Sequence, residues 1–397
     1  MTRSLPFQAV LLTAVGLGAL CASATLVAAG GYAQTNLVSD VSGLAKIFDP
    51  ELTNPWGASF LGAPAFSPFW ISDQNKNATT LYAVTGFTNV SKFTPLPQVN
   101  IPTMGGGPQG PTGQVSNPIG SKSFGVGHGG NGQPALFIFA NLNGTISAWN
   151  GGASAIVQWT TPGALYTGLT ANAAHTMLYA ANDAGAGGID VYDSSFHPIM
   201  LSSTAFETPT AIASKGLAPF NVEDIGGNVW VTYAPEGRMA QTQAGLGKGA
   251  VAEFSESGVL ESMNVGGHGN FASPWGLAVA PSTFGKFGGD ILVGNFSYLH
   301  SEINAFNPTT WAFEGSIAVD RGKGEKPGGL WSLFFGMGGD DGNPNVLYFT
   351  DGINGESGGL FGAMTAVPEP STWAMMLVGL GGLALFAARR RAALATA

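Results

Sequence analysis

The chain has one cysteine, Cys21, and it lies in an N-terminal apolar run. With that run removed, no disulfide framework, thiolate metal site or cysteine nucleophile is available. Charge is scarce at 10% of residues. The basic residues include Arg3 and the Arg389, Arg390, Arg391 run, whereas Glu369 is the one acid in the tail. The body between the ends is therefore more acidic than the overall balance of −9. A body without clustered Lys and Arg excludes nucleic acid as a partner, since phosphate contacts need such clusters. The five histidines (His128, His175, His197, His268 and His300) are isolated, so neither an HxH nor an HExxH pair supports zinc chemistry. His128 and His268 stand in Gly-rich turns and are the two worth testing first. Runs with a 3.6-residue period are few outside the ends.

Glycine is abundant instead, at 60 of 397 residues. Short β-branched and aromatic segments alternate with Gly/Asn/Pro turns, which predicts an all-β protein. One pattern recurs about six times: an opening turn, a short apolar strand, a glycine-rich loop, a second strand ending in Asn or Asp, and a third strand. Its clearest copy is Pro274 to Pro308. Aligning Pro55, Phe124, Tyr166, Pro219, Pro274 and Gly328 gives uneven spacings of about 42 to 69 residues. Units of this size with several strands each predict a six-bladed β-propeller over 36–366. A seventh blade stays open if Phe93 to Asn117 hides a degenerate one. Residues 102–118 lack strand alternation and read as an exposed loop. Asn143-Gly144 reads as a two-residue hairpin turn. Asn36 to Ala45 is expected to complete the sixth sheet and lock the ring, because an open sheet edge invites pairing with other chains.

Residues 1–33 run from Arg3 through an apolar core to small residues ending at Ala33, the pattern of a cleaved secretory signal peptide. Residues 367–397 hold VPEPSTW, an apolar stretch predicting a single transmembrane helix at about 372–388, and the Arg389–Arg391 stop. This end resembles the PEP-CTERM sorting tail of Gram-negative bacteria, carried here by Pro368, Glu369, Pro370 and the three arginines. The resemblance implies an exosortase as partner. It also implies transient anchoring in the inner membrane and delivery to the outer surface or the exopolysaccharide. Across 36–366, NPWG at Asn54, NGTISAWN at Asn143, APFNVEDIGG at Ala218, SPWGLAVAP at Ser273, FGGDILVGNF at Phe287 and NPNVLYFTDG at Asn343 resemble NHL and lactonase-like propellers. More closely, they resemble a family of exported, uncharacterised six-bladed propellers. That resemblance implies fold and export, with no established chemistry.

Candidate ligand residues are the second-strand ends: Asp73 with Asn75, Asn141, Asn182 with Asp183, Asn295, and Asp351. A ring of such oxygens at one channel mouth suits Ca²⁺, which takes six to eight oxygen ligands; the same residue types also cap turns. The fourth unit breaks the ring with Tyr233-Ala234-Pro235, where Glu223 and Asp224 are the expected substitutes. Asp340, Asp341, Asn343 and Asn345 lack EF-hand spacing and read as a turn. Gly355-Glu356-Ser357-Gly358-Gly359 and the Gly125, Gly127, Gly130 set match catalytic patterns formally, but each joins strands rather than opening a helix. Trp56, Trp275 and Trp331 occupy equivalent turns and are expected to wedge between blades. No catalytic residue is nominated. The leading expectation is an exported, exosortase-sorted propeller that binds polysaccharide or a partner protein. The alternatives are a metal-dependent lactonase-like hydrolase or lyase using the channel, and a structural matrix spacer.

Overall fold

The computed structural model describes residues 27–28, 31–104, 109–185, 187–367 and 380. Most of the leader and nearly all of the tail, including Pro368, Glu369, Pro370, Arg389, Arg390 and Arg391, lie outside the described residues. So does almost all of the helix expected at 372–388, and among the described residues no helix is long and apolar enough to cross a membrane.

Six sheets follow one another along the chain, antiparallel except for the short strand Ile47–Phe48, which pairs parallel with Tyr32–Ser39. Their innermost strands are Pro55–Ser59, Pro111–Ser116, Tyr166–Ala171, Leu217–Ile225, Pro274–Val279 and Leu330–Phe335. Each packs against the next and the last against the first, which closes a six-bladed propeller. The sixth sheet adds Val346–Asp351 and Leu360–Ala366 from the C-terminal end, then Tyr32–Ser39 from the N-terminal end. Tyr32 pairs with Ala366 and Ser39 with Leu360, so the ring is locked by hydrogen bonds between distant parts of the chain. The closing strand lies upstream of the expected Asn36–Ala45. It starts within the last two residues of the stretch read as a leader, and Asp40 to Gly43 turn instead of extending, with Gly43 at φ 80°. Tyr32 is fully buried; its hydroxyl donates to the Phe284 carbonyl (2.8 Å) and accepts from the Phe287 amide (2.9 Å).

Two readings of the second unit are corrected. Residues 111–116 are the inner strand of blade two, not part of an exposed loop. SFGVGHGG, taken as the start of that unit, is the loop after this strand, with Phe124 buried against Phe196. The stretch Phe93 to Asn117 holds a short strand of blade one (Gln98–Asn100) and this inner strand, so no seventh blade is formed there among the described residues. The Asn143-Gly144 turn also differs. Gly144 has φ 75° but Asn143 is not left-handed, and three residues separate Phe137–Asn141 from Thr145–Trp149. A two-residue type I′ turn needs both central residues at positive φ.

With blade two in register, the repeat becomes regular. The inner strands carry Pro55-Trp56-Gly57, Pro111-Thr112-Gly113, Tyr166-Thr167-Gly168, Pro219-Phe220-Asn221, Pro274-Trp275-Gly276 and Leu330-Trp331-Ser332, at intervals of 53 to 56 residues. All six triplets coincide with a register shift against the second strand. Such bulges twist a strand and re-aim its side chains.

The third triplet position sets the spacing of the ring. A Cβ on Gly57 would lie 2.4 Å from the Thr112 carbonyl oxygen, on Gly113 2.2 Å from the Leu169 nitrogen, and on Gly276 2.2 Å from the Trp331 carbonyl oxygen. Where the residue is not glycine, its side chain bonds across the same gap. Asn221 Nδ2 donates to the Trp275 carbonyl (3.0 Å), and Ser332 Oγ accepts from the Ala58 amide (3.1 Å). Gly113→Ala is therefore expected to destabilise the protein by about 3 kcal/mol or more in chemical denaturation, because backbone must move to admit the methyl group. Gly188→Ala, at a site with open space and ordinary φ, should change stability by less than about 1 kcal/mol. Equal effects of the two would contradict this account of ring closure.

Candidate functional site

The second triplet position points to the axis. Trp56 and Trp331 stack at 3.5 Å with 21° between planes, and Trp275 stands edge-on to both. Phe220 and Phe296 complete the cluster. The tryptophans of three consecutive blades, five, six and one, thus meet one another at the axis and plug the channel, where a wedge between blade faces was expected. The plug is pinned by polar contacts: Trp331 Nε1 donates to Asn54 Oδ1 (3.1 Å) and Trp275 Nε1 to the Thr167 carbonyl (3.0 Å). Below it the axis narrows to a chamber of about 40 Å³ lined by Gln114, Asn221, Glu223 and Ser332. The Glu223 carboxyl is pushed up to about 8 by burial, and further by Asp224 beside it.

Above the plug, on the face where the inner strands begin, lies a cavity of about 560 Å³. It is built by the loops that follow the second strands, together with residues just before the inner strands. Trp56, Thr167, Leu142 and Leu165 supply its apolar surface. Arg238 comes from the short helix Arg238–Thr242 in the long blade-four loop. Its guanidinium carbon sits 4.3 Å from the Phe296 ring centre, 5.3 Å from Trp331 and 5.4 Å from Trp56. This is a cation–π seat on the plug. The same guanidinium ion-pairs with Glu356, which also accepts from Tyr298 Oη (2.8 Å) and Asn54 Nδ2 (3.2 Å). On another wall, Asp183 Oδ2 accepts from Gln241 Nε2 (2.8 Å), while Asp183 Oδ1 is buried with no partner. Burial raises the Asp183 carboxyl to about 6, opposed by the Gln241 hydrogen bond and the Arg238 charge. The Trp56 indole N–H is likewise buried and unpartnered.

Of the nominated residues, the cavity brings together Asn75 and Asp183. Asn75 donates through Nδ2 to the Glu356 carbonyl (2.7 Å). The other strand ends hold one equivalent position, opposite the first residue of each triplet: Asp73 on Pro55, Asn141 on Pro111, Asn182 on Tyr166, Asn295 on Pro274 and Asp351 on Leu330. They serve the turns around them. Asn141 Oδ1 accepts from the Asn143 amide, Asn182 Oδ1 from the Leu165 and Ala184 amides, and Asn295 Oδ1 from the Ala272 amide. Asp351 is held by Arg321, Nε to Oδ2 2.7 Å. No three His, Cys, Asp or Glu side chains gather to hold a metal among the described residues. In the cavity the carboxylates are Asp183 and Glu356, the latter already paired with Arg238, and this donor set does not fit a six- to eight-oxygen Ca²⁺ shell. His128 and His268 are exposed, in loops on opposite faces.

Sequence reasoning missed Arg238, Gln241, Asn54 and Glu356. Glu356 stood in the glycine-rich match that was set aside. Arg238 stands in the long loop between Asn228–Pro235 and Ala250–Ser255 of blade four, and the length of that loop is the one local sign of a special role.

Asp73 is the odd member of the strand-end series. It is fully buried, no well-formed hydrogen bond reaches either oxygen, and burial raises its pKa well above 3.8, opposed by the nearby Thr80 hydroxyl and amide and reinforced by the Asp49 charge. A carboxyl with a raised folded pKa costs stability as pH rises above the unfolded value. Asp73→Asn, which installs the residue found at three equivalent positions, should stabilise by on the order of 2 kcal/mol at pH 7.5. The gain should shrink as pH falls toward 4, read from thermal melts across that range. A gain that grows on acidification would refute the assignment.

Residues 366–391 match the PEP-CTERM protein-sorting motif. Two uncharacterised proteins of Acanthamoeba polyphaga mimivirus are 27% identical to the chain. R648 aligns over 285 residues, 68% of this chain and 66% of that protein; L690 aligns over 280 residues, 68% and 70%. The chain thus spans about two thirds of the length of these relatives. Among solved structures, Kuenenia stuttgartiensis hydrazine synthase superposes with a TM-score of 0.46 at 13% identity, covering 75% of this chain and 74% of that one. A gluconolactonase from Xanthomonas campestris superposes with a TM-score of 0.38 at 16% identity, covering 59% and 72%. The chain is a six-bladed β-propeller followed by a PEP-CTERM sorting motif, which implies exosortase processing and export to the cell envelope or surface.

Proposed function

We propose that this is an exported binding protein whose upper cavity takes the end of a neutral saccharide chain at the cell surface. One observation carries the reading. A cavity of ligand size combines an aromatic floor with a buried carboxylate oxygen and an indole N–H that lack partners within the protein. Buried polar groups without partners are costly, and a small shift of either side chain toward the cavity that its residue lines would let a ligand hydroxyl satisfy it. Beside them the exposed Asn75, whose Nδ2 is held by the Glu356 carbonyl, turns an amide oxygen that can accept from a hydroxyl group. Arg238 is already neutralised by Glu356, which favours an uncharged ligand over an anionic one.

In this reading the tail serves delivery. The apolar stretch from Trp373 to Ala388 and Arg389–Arg391 hold the protein in the inner membrane until exosortase acts near Pro368-Glu369-Pro370. The propeller is then left at the surface or in the exopolysaccharide.

Calorimetric titration of the purified propeller with neutral oligosaccharides from the host's extracellular matrix tests the reading. Saturable one-site binding is expected. Asp183→Ala should weaken it about 10- to 100-fold through loss of a charge-assisted hydrogen bond, and Asn75→Ala, at an exposed position, by less. Binding unchanged in both variants, or no binding across the set, would overturn it.

A further inference from the structure

The direction of the last described strand bears on how the propeller is presented. Leu360–Ala366 starts beside Asp351 on the cavity face and ends beside Tyr32 on the opposite, lower face. Val367 is still tied to the sheet, its amide donating to the Gly31 carbonyl at 2.7 Å. The sorting motif, residues 366–391, begins at the strand's last residue, and Pro368 comes next after Val367. Trp373, where the apolar stretch opens, is six residues beyond Val367. Even fully extended, that length spans only roughly 20 Å.

Around this exit the lower face exposes apolar side chains. The loops after the inner strands of blades one and six interlock there. A Cβ at Gly339 would meet Phe66, and one at Gly62 would meet Met337. Phe66 is 36%, Phe87 57% and Met337 59% exposed. Phe87 joins the same rim, because its carbonyl accepts from the Tyr348 hydroxyl. Lys286 lies beside the chain exit, in the loop where a Cβ at Gly285 would meet Ala366. Phe side chains dip into the headgroup boundary while Lys stems keep their charge in water. The buried Asp341 and its neighbour Asp340 keep the rim from being basic, which fits a zwitterionic surface better than an anionic one.

We infer that, before processing, the lower face of the propeller rests on a zwitterionic phospholipid surface through Phe66, Phe87 and Met337, with the ligand cavity turned directly away from the membrane. This rests on the anchoring reading given above. The short tether keeps the propeller within roughly 20 Å of the hydrocarbon edge, close enough for its lower face to reach the headgroups. The contact adds apolar burial to the hold of the tail, and the cavity stays open to large saccharides while the protein is still attached.

The test uses the full chain, with Cys21→Ser and one new cysteine at a time, reconstituted in phosphatidylcholine–phosphatidylethanolamine vesicles. Phe87→Cys and Met337→Cys report the lower face; Lys76→Cys and Ser357→Cys report the cavity face. Each is labelled with an environment-sensitive fluorophore and challenged with spin-labelled lipid. Quenching at least threefold greater at the lower positions is expected. Replacing Phe66 and Phe87 together by Ser should reduce quenching at Met337→Cys while the protein still floats with vesicles. Flotation with equal quenching on both faces would overturn the docked orientation and leave anchoring intact. Failure to float would overturn the anchoring reading, and the orientation with it.

Discussion

Six inner strands pressed together around one axis are the constraint on which this protein depends. They approach so closely that the third residue of each triplet has two solutions. Glycine lets the next strand lie directly against it, as at Gly57, Gly113, Gly168 and Gly276. Alternatively a short polar side chain bonds across the gap, as at Asn221 and Ser332. The second residue must then point inward. Because three of the six are tryptophan and one is phenylalanine, the axis fills with rings rather than water. The cavity exists because this plug closes the channel from below.

The same geometry sorts the polar residues by role. The position opposite the first triplet residue lies between strand ends, buried except at the half-buried Asn182, so Asn141, Asn182 and Asn295 are consumed by turn amides and Asp351 by Arg321. The loops just beyond those positions stand over the plug and face the ligand space. Their chemistry is unequal around the ring. Blade four contributes Arg238 and Gln241, blade three Asp183, blade six Glu356, and blade two only Leu142 beside the apolar floor. A symmetric scaffold thus carries an asymmetric site, as expected where loops vary on a rigid frame.

Much of the architecture was legible in the chain. The recurring turn–strand–loop pattern, the apolar strands and the scarcity of charge pointed to a propeller, and the need to close a ring pointed to an N-terminal strand in the last sheet. The register of blade two was not legible by the same signs. Pro111 and Gly113 resemble loop residues, yet Pro is tolerated at a strand's first position and Gly is required by the neighbouring backbone. Reading them as a loop hid a period of 53 to 56 residues that the triplets carry throughout.

By itself the sequence determined the fold class and the sorting motif, because each rests on local pattern: strand periodicity and turn residues, or a contiguous run such as Pro368-Glu369-Pro370 before apolar residues and arginines; the choice of six blades over seven needed the pairing of Pro111–Ser116. Only the tertiary structure decided which polar residues share a site. Asp183 and Glu356 lie far apart in sequence, and Arg238 sits between them in a loop with no distinguishing motif. Their meeting depends on where three separate blades place their loops around a common axis, and no local pattern encodes that distance.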